Sequence, residues 1–291
     1  MTFGGERSPA AQVPPGVSVT AGASPASLHT GEGEHMDGAT DDAWSAVAGE
    51  WAELWGDFAD PLRRQIMHLT GIVPGSRVLD VGCGSGEFLA LLDRADAVTA
   101  GIDPAPAMVE LARARVPVAD LRLGYAETLP WPPKTFDVTT AVNALQFADD
   151  TNAALVELKR VTVPGGFLAI ANWAEGERND LNVIETAVAA SFDEELLPDD
   201  ELRMPGGLER LVDDAGLPVL ASGLVELEWE VPDSDRLVRG VLMGEDADGL
   251  AAGAATVIEA AQPFRTGDGA YRLVNAFRYV IATQPLDSGP E

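Results

Sequence analysis

Three glycines at alternate positions, Gly82, Gly84 and Gly86, sit between Asp80 and Glu87. Glycine accepts a sharp turn and lets a ligand approach the backbone with no Cβ in the way. A dinucleotide site asks for G-x-G-x-x-G, and its third glycine falls where this chain has Glu87. A P-loop asks for Gly-Lys-Ser/Thr, and no lysine lies near. A carboxylate suits a helix N-terminus but is a poor neighbour for pyrophosphate. The turn therefore points to a ligand with a cationic or zwitterionic group. Asp80 ends a buried-looking strand, and an ammonium or sulfonium would give its charge the partner that burial demands. Asp103, 21 residues past Gly82, stands where ribose hydroxyls can be bound. Either aspartate alone reads as a cap or turn residue. Together, at strand ends around one glycine turn, they make a ligand site.

These residues need a parallel sheet to hold them. Arg77 to Val81 is short and apolar after Pro74-Gly75, the pattern of a central parallel strand, and Glu87 to Asp93 has helical spacing. Strands follow at Ala97–Ile102, Asp120–Leu123, Phe136–Val142 and Phe167–Asn172, the last after Pro164-Gly165-Gly166. Helices fall between them at Met108–Arg115 and Thr151–Arg160. Such alternation means βαβ units with right-handed crossovers, an α/β fold. Residues 174–216 break the rhythm with helices at Leu181–Phe192 and Leu208–Ala215 around an acidic run. A sixth strand at Leu224–Val231, helices at Asp233–Met243 and Leu250–Ala261, and a last strand at Tyr271–Ala282 complete the chain.

Ahead of the sheet, Trp44, Val47, Trp51, Leu54, Trp55 and Phe58 recur at helical spacing, with Asp41 or Asp42 available as a cap. Pro61 opens a second helix that ends at Gly71. Three tryptophans on one face are either core or a lid over a ligand. The expected organisation is a disordered tail over 1–42 and one domain over 43–282. Within that domain, 43–71 forms a helical lid and 174–216 an insert or cap; residues 283–291 are frayed. Met36 is an alternative start.

Composition narrows the classes. The 291 residues are 46% hydrophobic, enough for a proper core. Nineteen Lys and Arg against 47 Asp and Glu give a charge of −28, which repels phosphate backbones and anionic lipid, so no nucleic-acid or membrane partner is expected. A single cysteine, Cys83, leaves no internal disulfide and no multi-cysteine metal centre, and no metal is expected. Cys83 itself reads as a small packing residue. No apolar run approaches the roughly 18 residues of a membrane span, and the N-terminus has no signal-peptide core, so a cytoplasmic protein is expected.

At this point the chain resembles the class I S-adenosylmethionine (SAM)-dependent methyltransferases, in the small-molecule group similar to those of ubiquinone and menaquinone biosynthesis. The resemblance rests on Val78–Gly86, Asp103 with Pro104-Ala105-Pro106-Ala107-Met108, and Gly124-Tyr125-Ala126-Glu127-Thr128-Leu129-Pro130-Trp131-Pro132. It continues through Phe136-Asp137-Val138 and Arg160-Val161-Thr162-Val163-Pro164-Gly165-Gly166. It implies a Rossmann-like, seven-stranded, mostly parallel sheet with helices on both faces and an antiparallel last strand. It implies SAM as cofactor, with S-adenosylhomocysteine as product. Gly82, Gly84 and Gly86 would lie against its methionine part with Asp80 nearby, and Asp103 and Pro104 by the ribose. Met108, Ala126 and Glu127 would border the adenine, and Asn143 the amino group or sulfonium. The family's usual aspartate between Gly124 and Ala126 is Tyr125 here, which removes one expected contact to the adenine.

The implied reaction is in-line methyl transfer to a C, N or O nucleophile of a small-molecule acceptor, in secondary-metabolite or cofactor biosynthesis. The alternative is a SAM-binding fold that transfers no methyl, a cyclase-type catalyst or binding module. Family members often place a histidine base near strands four or five, but the three histidines here are His29, His35 and His68. That leaves Gln146, Trp173, His68 and Tyr125 as catalytic candidates, and Trp44, Trp51, Trp55, Phe147 and Trp173 as candidates to line the acceptor site. Neither the acceptor nor the oligomeric state is legible.

Overall fold

Val78, Leu79 and Val81 are all but fully buried, because their strand lies at the centre of the sheet. In a computed structural model that describes residues 39–286, β1 (Arg77–Val81) pairs in parallel with β2 (Val98–Asp103) on one side and β4 (Phe136–Val142) on the other. Most of the expected tail, His29, His35, and residues 287–291 lie outside the described residues. The remaining strands are β3 (Asp120–Leu123), β5 (Thr162–Trp173), β6 (Val219–Val231) and β7 (Tyr271–Thr283). The seven form one sheet in the order β3-β2-β1-β4-β5-β7-β6. Strands β1 to β5 run parallel, and β7 runs antiparallel to both β5 and β6. This is the expected Rossmann-like sheet. Strand order reverses at β1, which puts a crevice at its carboxyl end.

The crossovers are α3 (Glu87–Asp93), α4 (Pro106–Arg115) and α5 (Thr151–Val161). Alternation along β1 sends Val78 into one core layer and Leu79 and Val81 into the other. Asp80 therefore shares the face of Val78. That face is covered by α1 (Ala39–Leu54) and α2 (Asp60–Leu69), whose Leu62 and Ile66 are fully buried.

Three elements differ from expectation, and one of them, β6, simply begins at Val219 rather than Leu224. Helix α1 begins at Ala39, so Asp41 and Asp42 are not caps but first-turn residues, where the helix dipole favours a negative charge. Strand β5 begins at Thr162 rather than Phe167. Thr162 pairs with Phe136, the register then shifts, and Val138 pairs with Phe167. Pro164-Gly165-Gly166 is thus an excursion inside the strand, with Gly165 at φ +78°, rather than a turn ahead of it.

The C-terminal end of α1 is fixed to the far side of the fold. Trp55 stacks on Trp229 of β6 at 4.0 Å. Its indole N–H donates to the Gly240 carbonyl in α8 (Ser234–Val241), and the Trp229 indole donates to the Leu54 carbonyl, each at 3.1 Å. A Cβ on Gly240 would lie 2.5 Å from the Trp229 ring, so only glycine fits there. Arg239 adds ion pairs to Glu50 and Glu53.

The 174–216 segment forms α6 (Asp180–Ser191) and α7 (Gly207–Asp214). Leu181 and Ile184 pack into the first core layer with Val257 of α9 (Ala247–Ala260), while Leu208 and Val212 enter the second.

Candidate active site

The cavity opens at the carboxyl end of β1. All three glycines of the turn have positive φ: +69°, +52° and +87°. Their surroundings differ. A Cβ on Gly82 would sit 2.4 Å from the Ala144 Cβ, and one on Gly86 would sit 3.0 Å from the Ala112 backbone in α4. At Gly84 it would meet nothing within 4 Å. Gly82 and Gly84 line the cavity, whereas Gly86 is not among its walls and serves the contact of α3 with α4. The turn is a cradle that a side chain on its middle glycine would fill.

Asp103 staples that cradle. One carboxylate oxygen accepts the Gly84 N–H at 2.8 Å and the other the Ala105 N–H at 3.0 Å. Each oxygen keeps a lone pair for a ligand. Burial pushes its pKa up to about 6, although the two backbone bonds favour the charged form.

Asp80 lies deeper, 4% exposed, and accepts from the Thr140 hydroxyl at 2.7 Å. Burial raises its pKa to about 7; the Thr140 bond and the charge of Arg63 oppose the rise, and Asp103 and Glu87 add to it. Arg63, on α2, was not expected from the sequence. It is buried in the cavity wall, donates to the Gly56 carbonyl at 2.7 Å and pairs with Asp60 at 3.1 Å. Its Nε has no partner. Glu87 also reaches the cavity, but it accepts from the Ser85 hydroxyl at 2.5 Å and pairs with Arg115. Its charge is compensated within the fold, so the pull on a cation comes from Asp80 rather than from Glu87.

Pro104, Met108, Ala126, Glu127 and Asn143 all line the cavity. Asn143 holds φ +53°, and its side-chain oxygen accepts from Gln146 at 2.6 Å. Gln146 is not itself a wall residue, so it positions Asn143 instead of facing a substrate. Tyr125, 51% exposed, lines the mouth and donates to the Asp41 carboxylate of α1 at 2.5 Å.

All five aromatic candidates, Trp44, Trp51, Trp55, Phe147 and Trp173, lie in the wall. Trp44 meets Phe147 edge-on at 5.6 Å. Phe58 and Phe277 join them: Phe58 stacks on Trp173 at 5.3 Å and Phe277 lies 4.8 Å from it. His68 is a correction. It is exposed in the last turn of α2 and is not a wall residue, because Leu62, Arg63 and Ile66 take the inward face. The 174–216 segment contributes no wall residue among those described, since its helices are used to cover the sheet. Cys83 is buried, and burial pushes its thiol well above the usual range, which suits packing. Among the described residues no cluster of His, Cys, Asp and Glu could hold a metal, and no helix is long and apolar enough to cross a membrane.

Two of the missed residues left a signal. Arg63 interrupts the apolar face Leu62–Ile66 of a short helix, a place where a guanidinium must find a buried task. Phe58 continues the three-and-four spacing of the tryptophans. Phe277 left none, being brought in only by the antiparallel pairing of Trp173 with Phe277.

Residues 79–170 match the family described as "Methyltransferase domain". The chain is 35% identical over 144 residues to a malonyl-(acyl-carrier protein) O-methyltransferase of Serratia marcescens, covering 48% of this chain and 54% of that one. It is 38% identical over 129 residues to a demethylmenaquinone methyltransferase of Symbiobacterium thermophilum, covering 41% and 48%. The chain thus spans about half the length of the curated relatives it matches. Among solved structures it is similar to YcgJ of Bacillus subtilis, with TM-score 0.52 and 17% identity over 77% of this chain and 97% of that one. It is also similar to the 4+2 cyclase SpnF, with TM-score 0.51 and 22% identity over 80% and 83%. At such identities the structural likeness speaks for the fold alone.

Proposed function

We propose that this chain, which carries a class I SAM-dependent methyltransferase domain, transfers a methyl group from SAM to a small-molecule acceptor held in the aromatic end of the cavity. When bound, SAM supplies an electrophilic methyl group on a sulfonium. The observation that carries the reading is the pairing of the open cradle at Gly84 with two opposite buried charges, Asp80 and Arg63. A zwitterionic amino-acid group answers both, with its ammonium toward Asp80 and its carboxylate toward the Arg63 guanidinium, which Asp60 also pairs. Asp103 has lone pairs left for ribose hydroxyls, and Met108, Ala126 and Glu127 supply the border of an adenine. Asn143, steadied by Gln146, presents its amide beside the cradle.

The protein's part in the reaction is positioning and exclusion of water. Fixing two reactants in line contributes roughly 7–11 kcal/mol to such a step. Trp44, Trp51, Trp55, Phe58, Phe147, Trp173 and Phe277 give the cavity an aromatic wall. Among the described residues no histidine lines the cavity, so an acceptor that must lose a proton would rely on a carboxylate such as Glu127 or Asp149 or on the Tyr125 hydroxyl, while an amine lone pair or carbon nucleophile needs less help.

Incubation with methyl-labelled SAM and a panel of phenol, enol, amine and thiol acceptors tests the reading. Label in one acceptor and release of S-adenosylhomocysteine are expected. A second reading, a SAM-binding catalyst that transfers no methyl, is favoured by that same lack of a histidine and by Tyr125 in place of the family's usual aspartate. It predicts tight SAM binding with no label transfer to any acceptor.

A further inference from the structure

The sheet has two edges, and they are finished differently. Strand β3 ends it on one side with four residues, two of them the charged Asp120 and Arg122, which pair with each other. Short length and charge keep an edge from recruiting another strand. Strand β6 ends the sheet on the other side with thirteen residues, and among the described strands it pairs with β7 alone. Its second half is guarded: Glu226, Glu228 and Glu230 are exposed, while Leu227, Trp229 and Val231 between them are buried. Its first half, Val219-Leu220-Ala221-Ser222-Gly223-Leu224-Val225, carries no charge and no proline. None of these residues is buried, and Val219, Leu220 and Leu224 are 41%, 54% and 38% exposed. From Ala221 onward the register with β7 is unbroken, so the outer N–H and C=O groups stand in a regular row.

We propose that this uncharged half of β6 is the contact between two copies of the chain, each adding its edge to the other in antiparallel pairing. A strand paired antiparallel with its own copy is related to it by a two-fold axis, so the contact closes at two chains. The copy is the occupant that the residues favour, because it brings an apolar stretch of the same length that stops where the glutamates begin. Charge selects the register. Centred on Ser222, the pairing sets Leu220 opposite Leu224 and Val219 opposite Val225 of the other copy, and apolar cross-strand pairs are favourable. Every glutamate of one strand then lies beyond the uncharged half of the other. Centred on Glu228, the same strands would set Glu226 opposite Glu230 and Glu228 opposite itself, and like charges directly opposite are destabilising. The cavity is left free: Tyr125 at its mouth follows β3, at the far edge of the sheet. The contact holds whether or not the chain transfers methyl groups.

So few residues a side bury less than about 1,000 Å², so the pairing is expected to be reversible, with a Kd on the order of 10–100 μM. Two chains of charge −28 repel each other, so salt is expected to tighten it. Sedimentation velocity on the full chain, over about 5–500 μM and with sodium chloride raised to about 0.3 M, is expected to show monomer giving way to dimer and nothing larger. Leu224→Lys, at an exposed position, places on the edge the charge that β6 lacks there and is expected to weaken the dimer at least tenfold. Val118→Lys, exposed ahead of β3, is expected to leave the Kd within about twofold. Circular dichroism and the thermal midpoint check that both variants fold. Hydrogen exchange on the unaltered chain needs no variant: protection that rises with concentration is expected within 219–225. A monomer throughout the range overturns the proposal. So does a dimer that Leu224→Lys leaves intact, an assembly larger than two, or concentration-dependent protection that lies only outside β6.

Discussion

One methyl group of space separates the roles of the glycines in the cradle. All three hold positive φ, where alanine costs about 1–2 kcal/mol. Gly82→Ala adds a clash with Ala144 and is expected to lower the thermal midpoint markedly. Gly84→Ala adds no clash, but its methyl enters the space meant for the ligand. Its midpoint should stay within the φ cost, while SAM affinity falls at least tenfold. Calorimetry and thermal melts on both variants check this; equal loss of affinity with equal loss of stability would contradict the separation. Asp80 supports a second prediction. Its folded pKa of about 7 lies above the usual 3.8, so between these values the folded state holds a proton that the unfolded chain has lost. This group therefore adds stability that is full below about pH 4 and lost as pH rises through about 7. A cation bound beside it works the other way, since it favours the carboxylate. The stabilisation conferred by saturating SAM is thus expected to grow from pH 6.5 to pH 8. In Asp80→Asn that growth should vanish, leaving only the smaller contribution of Asp103, centred near pH 6. A wild-type thermal shift that is flat with pH would remove Asp80 from the cofactor's surroundings.

At the scale of elements, α1 is held differently at its two ends. The Trp55 end is locked by reciprocal indole bonds to α8 and from β6. The Asp41 end is held across the cavity mouth by the Tyr125 hydroxyl at 2.5 Å. The same half of α1 packs through Trp44 and Ala48 on Ala105 and Met108 of the α4 side, so the Tyr125 bond adds to an apolar contact at the mouth. Tyr125→Phe is expected to raise the SAM dissociation rate about fivefold, the worth of one hydrogen bond, with little change in the thermal midpoint. Stopped-flow displacement of bound S-adenosylhomocysteine reads the rate, and an unchanged rate would mean that the α1 entrance does not control exchange. The tryptophan stripe made α1 legible in the sequence, because helical spacing is a local signal. Its anchoring was not, since Trp55 and Gly240 are 185 residues apart. The start of β5 was missed for a related reason. Pro-Gly-Gly has turn chemistry, and only pairing of Thr162 with Phe136 across the sheet makes it part of a strand. Arg63 and Phe277 likewise acquire their place from neighbours distant in sequence, whereas the glycine turn and Asp103 belong to a local motif and could be read directly.

For the whole molecule, the sheet was legible because each strand and crossover helix carries its own period, and a parallel βαβ order follows with few alternatives. The sign of the surface was equally plain, but sequence counts do not say which charges meet. Many exposed arginines are already engaged: Arg77 with Asp137, Arg236 with Glu53, Arg272 with Glu228, and Arg210 with Glu201. Such exposed pairs are worth only about 0–1 kcal/mol each, so screening them costs little. The excess of 47 acidic over 19 basic residues remains and repels itself over the screening length. That length is about 30 Å at 0.01 M salt and about 10 Å at 0.1 M. Sodium chloride between 0.01 and 0.3 M is therefore expected to stabilise the protein. Relief of about 1 kcal/mol corresponds to a rise in midpoint of roughly 2–4 °C for a chain of this size. Thermal melts at pH 8 across that range measure it. A midpoint that falls with salt would mean that the arginine pairs outweigh the self-repulsion and hold the elements together.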